Sequence, residues 1–115
     1  MAIDNDFLLV ITSSEIGEGE ADLGAKLTDL IFKVFSESKT QPARIIFLNS
    51  GIFLTTEGSP VAEKLKTLED KGTEIVSCIT CLNYFDRMEK IIVGRPGDMK
   101  DTVDALIHYR KVVTF

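Results

Sequence analysis

The sequence predicts an α/β fold, a three-layer α/β/α sandwich with a mainly parallel five-stranded sheet, as a single domain over residues 1–115. Three observations predict it. Short apolar runs recur along the chain, each bounded by turn residues. The runs are continuous rather than alternating, so their strands are covered on both faces. Segments of helical periodicity separate them, giving the order β-α-β-α-β-α-β-α-β. The length agrees: 115 residues fit one domain and bury about two-thirds of the unfolded surface, enough to fold without a disulfide or a metal.

The first run is Phe7, Leu8, Leu9, Val10 and Ile11. A helix from about residue 20 to 37 follows, with Leu23, Leu27, Leu30, Ile31, Val34 and Phe35 on one stripe, the pattern of a helix that covers a core. Pro42 closes the connection into a second strand at 45–48. Ser59 then serves as N-cap with Pro60 at the first helical position, Gly72 marks the stop, and Val61, Leu65 and Leu68 face inward. A third strand at 75–78, interrupted by Ser77, runs into a short helical piece through Leu82, Tyr84 and Phe85. The fourth strand is expected at 91–93. A last helix begins near Asp98, with Asp101 in its first turn and Met99, Val103, Leu106 and Ile107 facing in. Val112 and Val113 make the fifth strand.

Composition excludes some functions. Eighteen acidic side chains against 13 basic ones, a net charge of −5, argue against a nucleic-acid groove, which needs a dense basic patch. The longest apolar stretch, 7–11, is far below the ~20 residues that cross a bilayer. The acidic opening Met-Ala-Ile-Asp-Asn-Asp lacks the basic start of a secretory signal. A cytoplasmic protein is expected, in which the two cysteines are thiols rather than a structural staple.

In open parallel sheets, ligands bind beyond the carboxyl ends of the strands. The loops that qualify are 12–19, 49–58 and 78–81, with 94–97 as a fourth. The first has glycines at 17, 19 and 24, whereas a dinucleotide fingerprint needs its third at 22, which is Asp. Glu15, Glu18, Glu20 and Asp22 also repel a pyrophosphate, which favours an acidic turn entering a helix. In the second loop, Asn49, Ser50 and Gly51 are turn residues at a ligand-facing position, followed by apolar Ile52, Phe53 and Leu54 suited to a core or an interface.

The segment Cys78-Ile79-Thr80-Cys81 carries the most chemistry. Cys81 falls in the first turn of a helix, where backbone N–H groups stabilise a thiolate. Arg87 and Lys90 add positive potential; Asp86 and Glu89 oppose it, and the acidic balance of the chain works against ionisation. A structural zinc site needs four ligands, and this pair offers two thiolates, with the single histidine, His108, far along the chain on an outer or packing position. A thioredoxin-type centre has the spacing but sits near the start of its fold, not after a third strand. A sulfur-accepting pair fits, with Cys78 and Cys81 as catalytic candidates and Asn49, Ser50, Gly51 and Thr80 as substrate-binding ones. Two inert buried thiols are the plain alternative.

Leu23-Gly24 through Leu30, Pro42 with the strand at 45–48, Asn49-Ser50-Gly51, and Leu54-Thr55-Thr56-Glu57-Gly58-Ser59-Pro60-Val61 together resemble the DsrE-like family. The stretch from Gly72 to Tyr84 is similar to the Cys-Gly-Thr-Cys-Leu segment of the YedF type, the sulfurtransferase-like selenium metabolism proteins. Val93-Gly94 and Asp98-Met99 continue the likeness, which spans about residues 7–115. The resemblance implies a sulfur carrier or sulfurtransferase that holds a cysteine persulfide and relays sulfur between protein partners without a cofactor or metal. Cys78 matches the sulfur-accepting cysteine and Cys81 the second one. It implies trimers or hexamers, and a TusA-like carrier as a separate partner, because the chain begins at the first strand. Ile79 departs from the family's Gly and adds bulk beside the thiols. In the expected chemistry the Cys78 thiolate attacks a donor persulfide, and Cys81 resolves or relays it. A thiol redox sensor and a non-catalytic binding or assembly subunit remain the alternatives.

Overall fold

The computed structural model describes residues 2–115; Met1, the first residue of the expected domain, lies outside them. Five strands alternate with four α-helices: β1 (Ala2–Ile11), α1 (Ala21–Glu37), β2 (Thr40–Phe47), α2 (Ala62–Asp70), β3 (Glu74–Cys78), α3 (Ile79–Tyr84), β4 (Arg95–Gly97), α4 (Met99–His108) and β5 (Lys111–Thr114). Short 3-10 turns occupy Asn49–Leu54 and Met88–Lys90. The strand order is β4-β3-β2-β1-β5 with every pairing parallel, so the expected α/β sandwich is the one found. None of the helices described is long and apolar enough to cross a membrane.

The order explains the layers. The chain steps in one direction from β1 through β2 and β3 to β4, then crosses the whole sheet to place β5 on the far edge. Right-handed crossovers put helices on one face while the chain advances and on the other when it returns. Leu9, Ile11, Ile45, Phe47 and Ile75 accordingly pack with Phe32 of α1, Leu65 and Leu68 of α2 and Leu82 of α3. Their strand neighbours Leu8, Val10, Ile46 and Val76 point the other way and meet Ala105 of α4. Both faces of the central strands are dry, as their unbroken apolar runs require.

Several elements depart from the expectation, each for a physical reason. The fourth strand is Arg95–Gly97, not 91–93. The Ile92 and Val93 N–H groups donate to the Thr55 carbonyl and Ile91 bridges Thr56, so the apolar run serves the core from outside the sheet. Gly94, at φ +79°, then brings the chain against the Ile75 carbonyl, where a Cβ would overlap it. A ring of ion pairs fixes β4 in place: Arg95 with Glu74 and with Asp101 at 3.3 Å, Arg44 with Glu74 at 3.2 Å and with Asp101 at 3.4 Å.

Pro42 lies inside β2 rather than before it, paired with Asp4. Helix α2 starts at Ala62, because Ser59 Oγ accepts from the Val61 N–H and holds Pro60 and Val61 in a turn ahead of the helix. Gly72 ends it at φ +112° as expected, and Asp98 caps α4 by accepting from the Asp101 N–H at 2.8 Å.

The largest departures are rotational. Helix α1 buries Gly24, Thr28 and Phe32 and packs Ile31 and Phe35 of the expected stripe against the core, but leaves Leu23, Leu27, Leu30 and Val34 exposed. Its N-terminal half is drawn in by small and polar residues: Gly24 packs on Glu15, and Thr28 Oγ1 accepts from the Ile16 N–H at 3.2 Å. Helix α4 likewise buries Thr102 and Ala105 while Met99, Val103, Leu106 and Ile107 are exposed.

The Gly94 conformation yields a test. Gly94→Ala combines left-handed strain with a backbone overlap and is expected to destabilise the fold by about 2 kcal/mol or more, measured as a lowered urea midpoint at unchanged slope.

Candidate functional site at the end of strands β2 and β3

Parallel pairing sets Phe47 of β2 beside Ser77 of β3, so the two strands end level and their following loops lie side by side. Because β1, β2 and β3 are neighbours in the sheet, the loops at 12–19, 49–58 and 78–81 gather along one edge.

After β2 the backbone turns sharply. Asn49 adopts φ +50°, the left-handed region that Asn tolerates better than most residues. Gly51 then passes against β1, where a Cβ would stand 2.5 Å from the Ile11 carbonyl oxygen. This turn aims the Asn49 N–H at the Cys81 sulfur, 3.0 Å away. After β3, Cys78 ends the strand with only 1% of its surface exposed, whereas Cys81 sits one helical turn later and is part-exposed. The sulfur that reaches solvent is therefore that of Cys81.

Cys81 opens into a cleft of about 460 Å³ lined by Asn49, Thr80, Cys81, Tyr84 and Phe85. None of these carries a charge. Cys81 and Tyr84 of α3 and Phe85 at its C-cap fall on one face at the i, i+3, i+4 spacing, a relation written in the sequence that identifies the two aromatic walls beside the thiol. Tyr84 is 82% exposed at the mouth. Its ring stands edge-on to Phe85 with centroids 5.0 Å apart, and Phe85 meets Phe53 at 4.8 Å. Arg87 continues the stack 4.6 Å above Phe53 and donates to Thr56 Oγ1 and the Glu57 carbonyl. It is thus committed to the 53–57 segment rather than to the thiols.

Four residues were expected to bind substrate. Asn49 and Thr80 line the cleft with Cys81. Ser50 turns toward the first loop, accepting from the Ser14 N–H at 3.4 Å, and Gly51 is buried against β1, so neither lines the cleft. His108 is exposed on α4 with Nδ1 2.7 Å from the Asp104 carbonyl oxygen.

The helix-start position was expected to lower the thiol pKa, and the acidic balance to oppose ionisation. The Cys81 pKa is raised, chiefly by burial and next by the adjoining Cys78 thiol; the N–H groups of Asn49 and of Cys81 itself pull it down and are outweighed. Alkylation by iodoacetamide, followed by intact mass, is expected to modify Cys81 first, with a rate that climbs about tenfold per pH unit from pH 7 to 9 without levelling, because only the thiolate reacts. Cys78→Ala removes one cause of the raised pKa and is expected to speed that reaction at pH 7.

A scan of protein-family models finds no match, and a search of curated proteins finds none either. Solved structures do match. The ychN protein from E. coli superposes with a TM-score of 0.67 at 15% identity, over 96% of this chain and 99% of that one. A protein of unknown function from Methanobacterium thermoautotrophicum, MTH1491, superposes with a TM-score of 0.69 at 8% identity, over 97% of this chain and 100% of that one. At these identities the likeness shows a shared α/β fold along nearly the whole chain.

Proposed function

We propose that this protein is a sulfur carrier or sulfurtransferase that holds a persulfide on Cys81 and relays sulfur between protein partners. The observation that carries the reading is the placement of the two sulfurs: Cys81 opens into a cleft under a backbone N–H, with Cys78 buried beside it. This exchanges the roles implied by the family resemblance, in which Cys78 is loaded first, because a cysteine with 1% of its surface exposed does not present its thiol to a donor.

The chemistry balances without a cofactor. The Cys81 thiolate attacks the outer sulfur of a donor persulfide, the donor's S–S bond breaks, and its thiolate leaves as Cys81 gains one sulfur atom. An acceptor thiolate attacks the same outer sulfur and restores Cys81. Cys78, near enough to act on the ionisation of Cys81, supplies a second exit: attack on the inner sulfur closes a Cys78–Cys81 disulfide and releases hydrosulfide. That proximity also favours a thiol redox sensor as the second reading.

The uncharged cleft lining supports a donor presented by a protein, a TusA-like carrier among them, rather than a small anionic one that needs a cation to hold it. Tyr84, exposed at the mouth, is suited to such a contact. Placement in the YedF-type subgroup, with its selenium link, rests on the double cysteine in the segment from Gly72 to Tyr84 and is part of the same proposal.

Incubation with a persulfide-loaded TusA-like carrier protein followed by intact mass measurement tests it. The expected result is a gain of one sulfur atom, retained in Cys78→Ala and lost in Cys81→Ser. Loading that survives in Cys81→Ser but not in Cys78→Ala restores the original order of roles. A loss of two hydrogens in the wild type together with no sulfur gain in Cys78→Ala, where the disulfide exit is closed, identifies a redox pair, and no change of mass leaves a binding module with inert thiols.

A further inference from the structure

The turn after β2 is held at both ends. The Leu48 N–H donates to the Ile11 carbonyl at 2.8 Å, and the Gly51 N–H donates to the Leu48 carbonyl at 2.9 Å. Gly51 also lies so close to that Ile11 carbonyl that a Cβ would overlap it. These contacts tie the turn to β1, on one side of β2. The N–H of the peptide between Leu48 and Asn49 reaches the other side, to Cys81 Sγ at 3.0 Å.

A peptide group is planar and turns as a unit. With Leu48 and Gly51 fixed, φ at residue 49 and the direction of its N–H are therefore one variable. A residue that leaves φ +50° does so by rotating the 48–49 peptide, which carries the hydrogen off the sulfur. That left-handed region is open to Gly, tolerated by Asn, costly for Ala and most costly for a β-branched residue. The Asn49 side chain itself is exposed, and the group that meets the sulfur is the backbone.

We propose that the Asn49 backbone N–H is a catalytic donor that holds negative charge on Cys81 Sγ, and that Asn serves at this position through its backbone conformation rather than its side-chain amide. A hydrogen bond to a thiolate is stronger than one to a neutral sulfur, so this donor favours every step that leaves charge on Sγ. It is one of two backbone N–H groups that pull against the burial and the neighbouring thiol opposing ionisation of Cys81. The consequence for sulfur transfer rests on the persulfide reading above. There the charge-forming step is discharge: an acceptor thiolate attacks the outer sulfur, the S–S bond breaks, and Cys81 departs as the thiolate under the Asn49 N–H. The donor then acts on sulfur as an oxyanion-hole donor acts on oxygen.

The test compares Asn49→Gly, Asn49→Ala and Asn49→Val in a Cys78→Ala background, where Cys81 is the single thiol and the disulfide exit is closed. Circular dichroism follows the fold. Iodoacetamide alkylation from about pH 7 to 11 reads the ionisation of Cys81. Cyanide reads discharge, since it takes the outer sulfur of carrier-loaded Cys81 as thiocyanate and leaves the Cys81 thiolate. Asn49→Gly keeps both the N–H and the left-handed turn and is expected to stay within about twofold of Asn49 in both rates. Asn49→Val is expected to move the alkylation profile up by about one pH unit and to slow thiocyanate release at least about tenfold, with Asn49→Ala between the two. If Asn49→Val fails to fold, Asn49→Ala against Asn49→Gly makes the same comparison. A glycine variant that falls as far as the valine one shows that the amide side chain acts, and overturns the proposal. So does a folded Asn49→Val with an unmoved alkylation profile. A chain that takes up no sulfur removes the persulfide reading instead, and the alkylation profile alone then decides whether the N–H supports the thiolate.

Discussion

The level ends of β2 and β3 govern the geometry of the candidate site. Phe47 and Ser77 are partners across a parallel ladder, so the chain leaves the sheet at two adjacent points and has to turn differently at each. At the first it folds back through Asn49 in a left-handed conformation, with Gly51 pressed on the β1 carbonyl edge. At the second it enters α3 at once. One exit therefore delivers a backbone donor and the other a thiol, and they meet at 3.0 Å. A side chain at residue 51 or a one-residue change in the β2–β3 register would separate them, because every side chain on a slipped strand changes face.

The same geometry divides labour between the cysteines. Cys78 belongs to the strand and inherits its burial; Cys81 belongs to the helix and inherits the cleft. Burial and a neighbouring thiol both raise the Cys81 pKa, so the resting group at neutral pH is the protonated thiol, with backbone N–H groups as its only resolved counterweight. Such a group is slow toward adventitious electrophiles.

Much of this was legible before any coordinates. The apolar run at 7–11 and the one at 75–78, broken only by Ser77, announced doubly covered strands, and Asp98 and Gly72 marked helix ends because capping is a local property. The run at 91–93 misled because Val93 is indeed in the core, yet its backbone is held by Thr55 rather than by a strand. Apolarity reports burial and says nothing about which backbone supplies the hydrogen bonds. The faces of α2 are as expected, whereas those of α1 and α4 differ in part for a related reason. Periodicity locates an apolar arc, but Gly24 and Thr28 dock α1 by closeness of approach and hydrogen bonding, which hydrophobicity does not register. At the site the CxxC was visible, whereas the phase that exposes one sulfur and hides the other depends on where strand passes into helix.

Those misjudged faces carry their own argument. Burying a leucine is worth about 1.5–3 kcal/mol over leaving it in water, so the α1 stripe forgoes a contribution comparable to the whole stability of a small domain. An arrangement that puts Thr28 against the sheet and Leu27 into solvent runs against the stability of an isolated chain. Thr28 answers part of the contradiction, since it accepts from the Ile16 N–H and donates within α1 and its approach loop, fixing the first loop in a way no leucine could. The contradiction between periodicity and burial is a division of labour on one helix: Gly24 and Thr28 give close approach and hydrogen bonds to the first loop, Phe32 with Ile31 and Phe35 gives apolar contact to the core, and the leucines lie outside both.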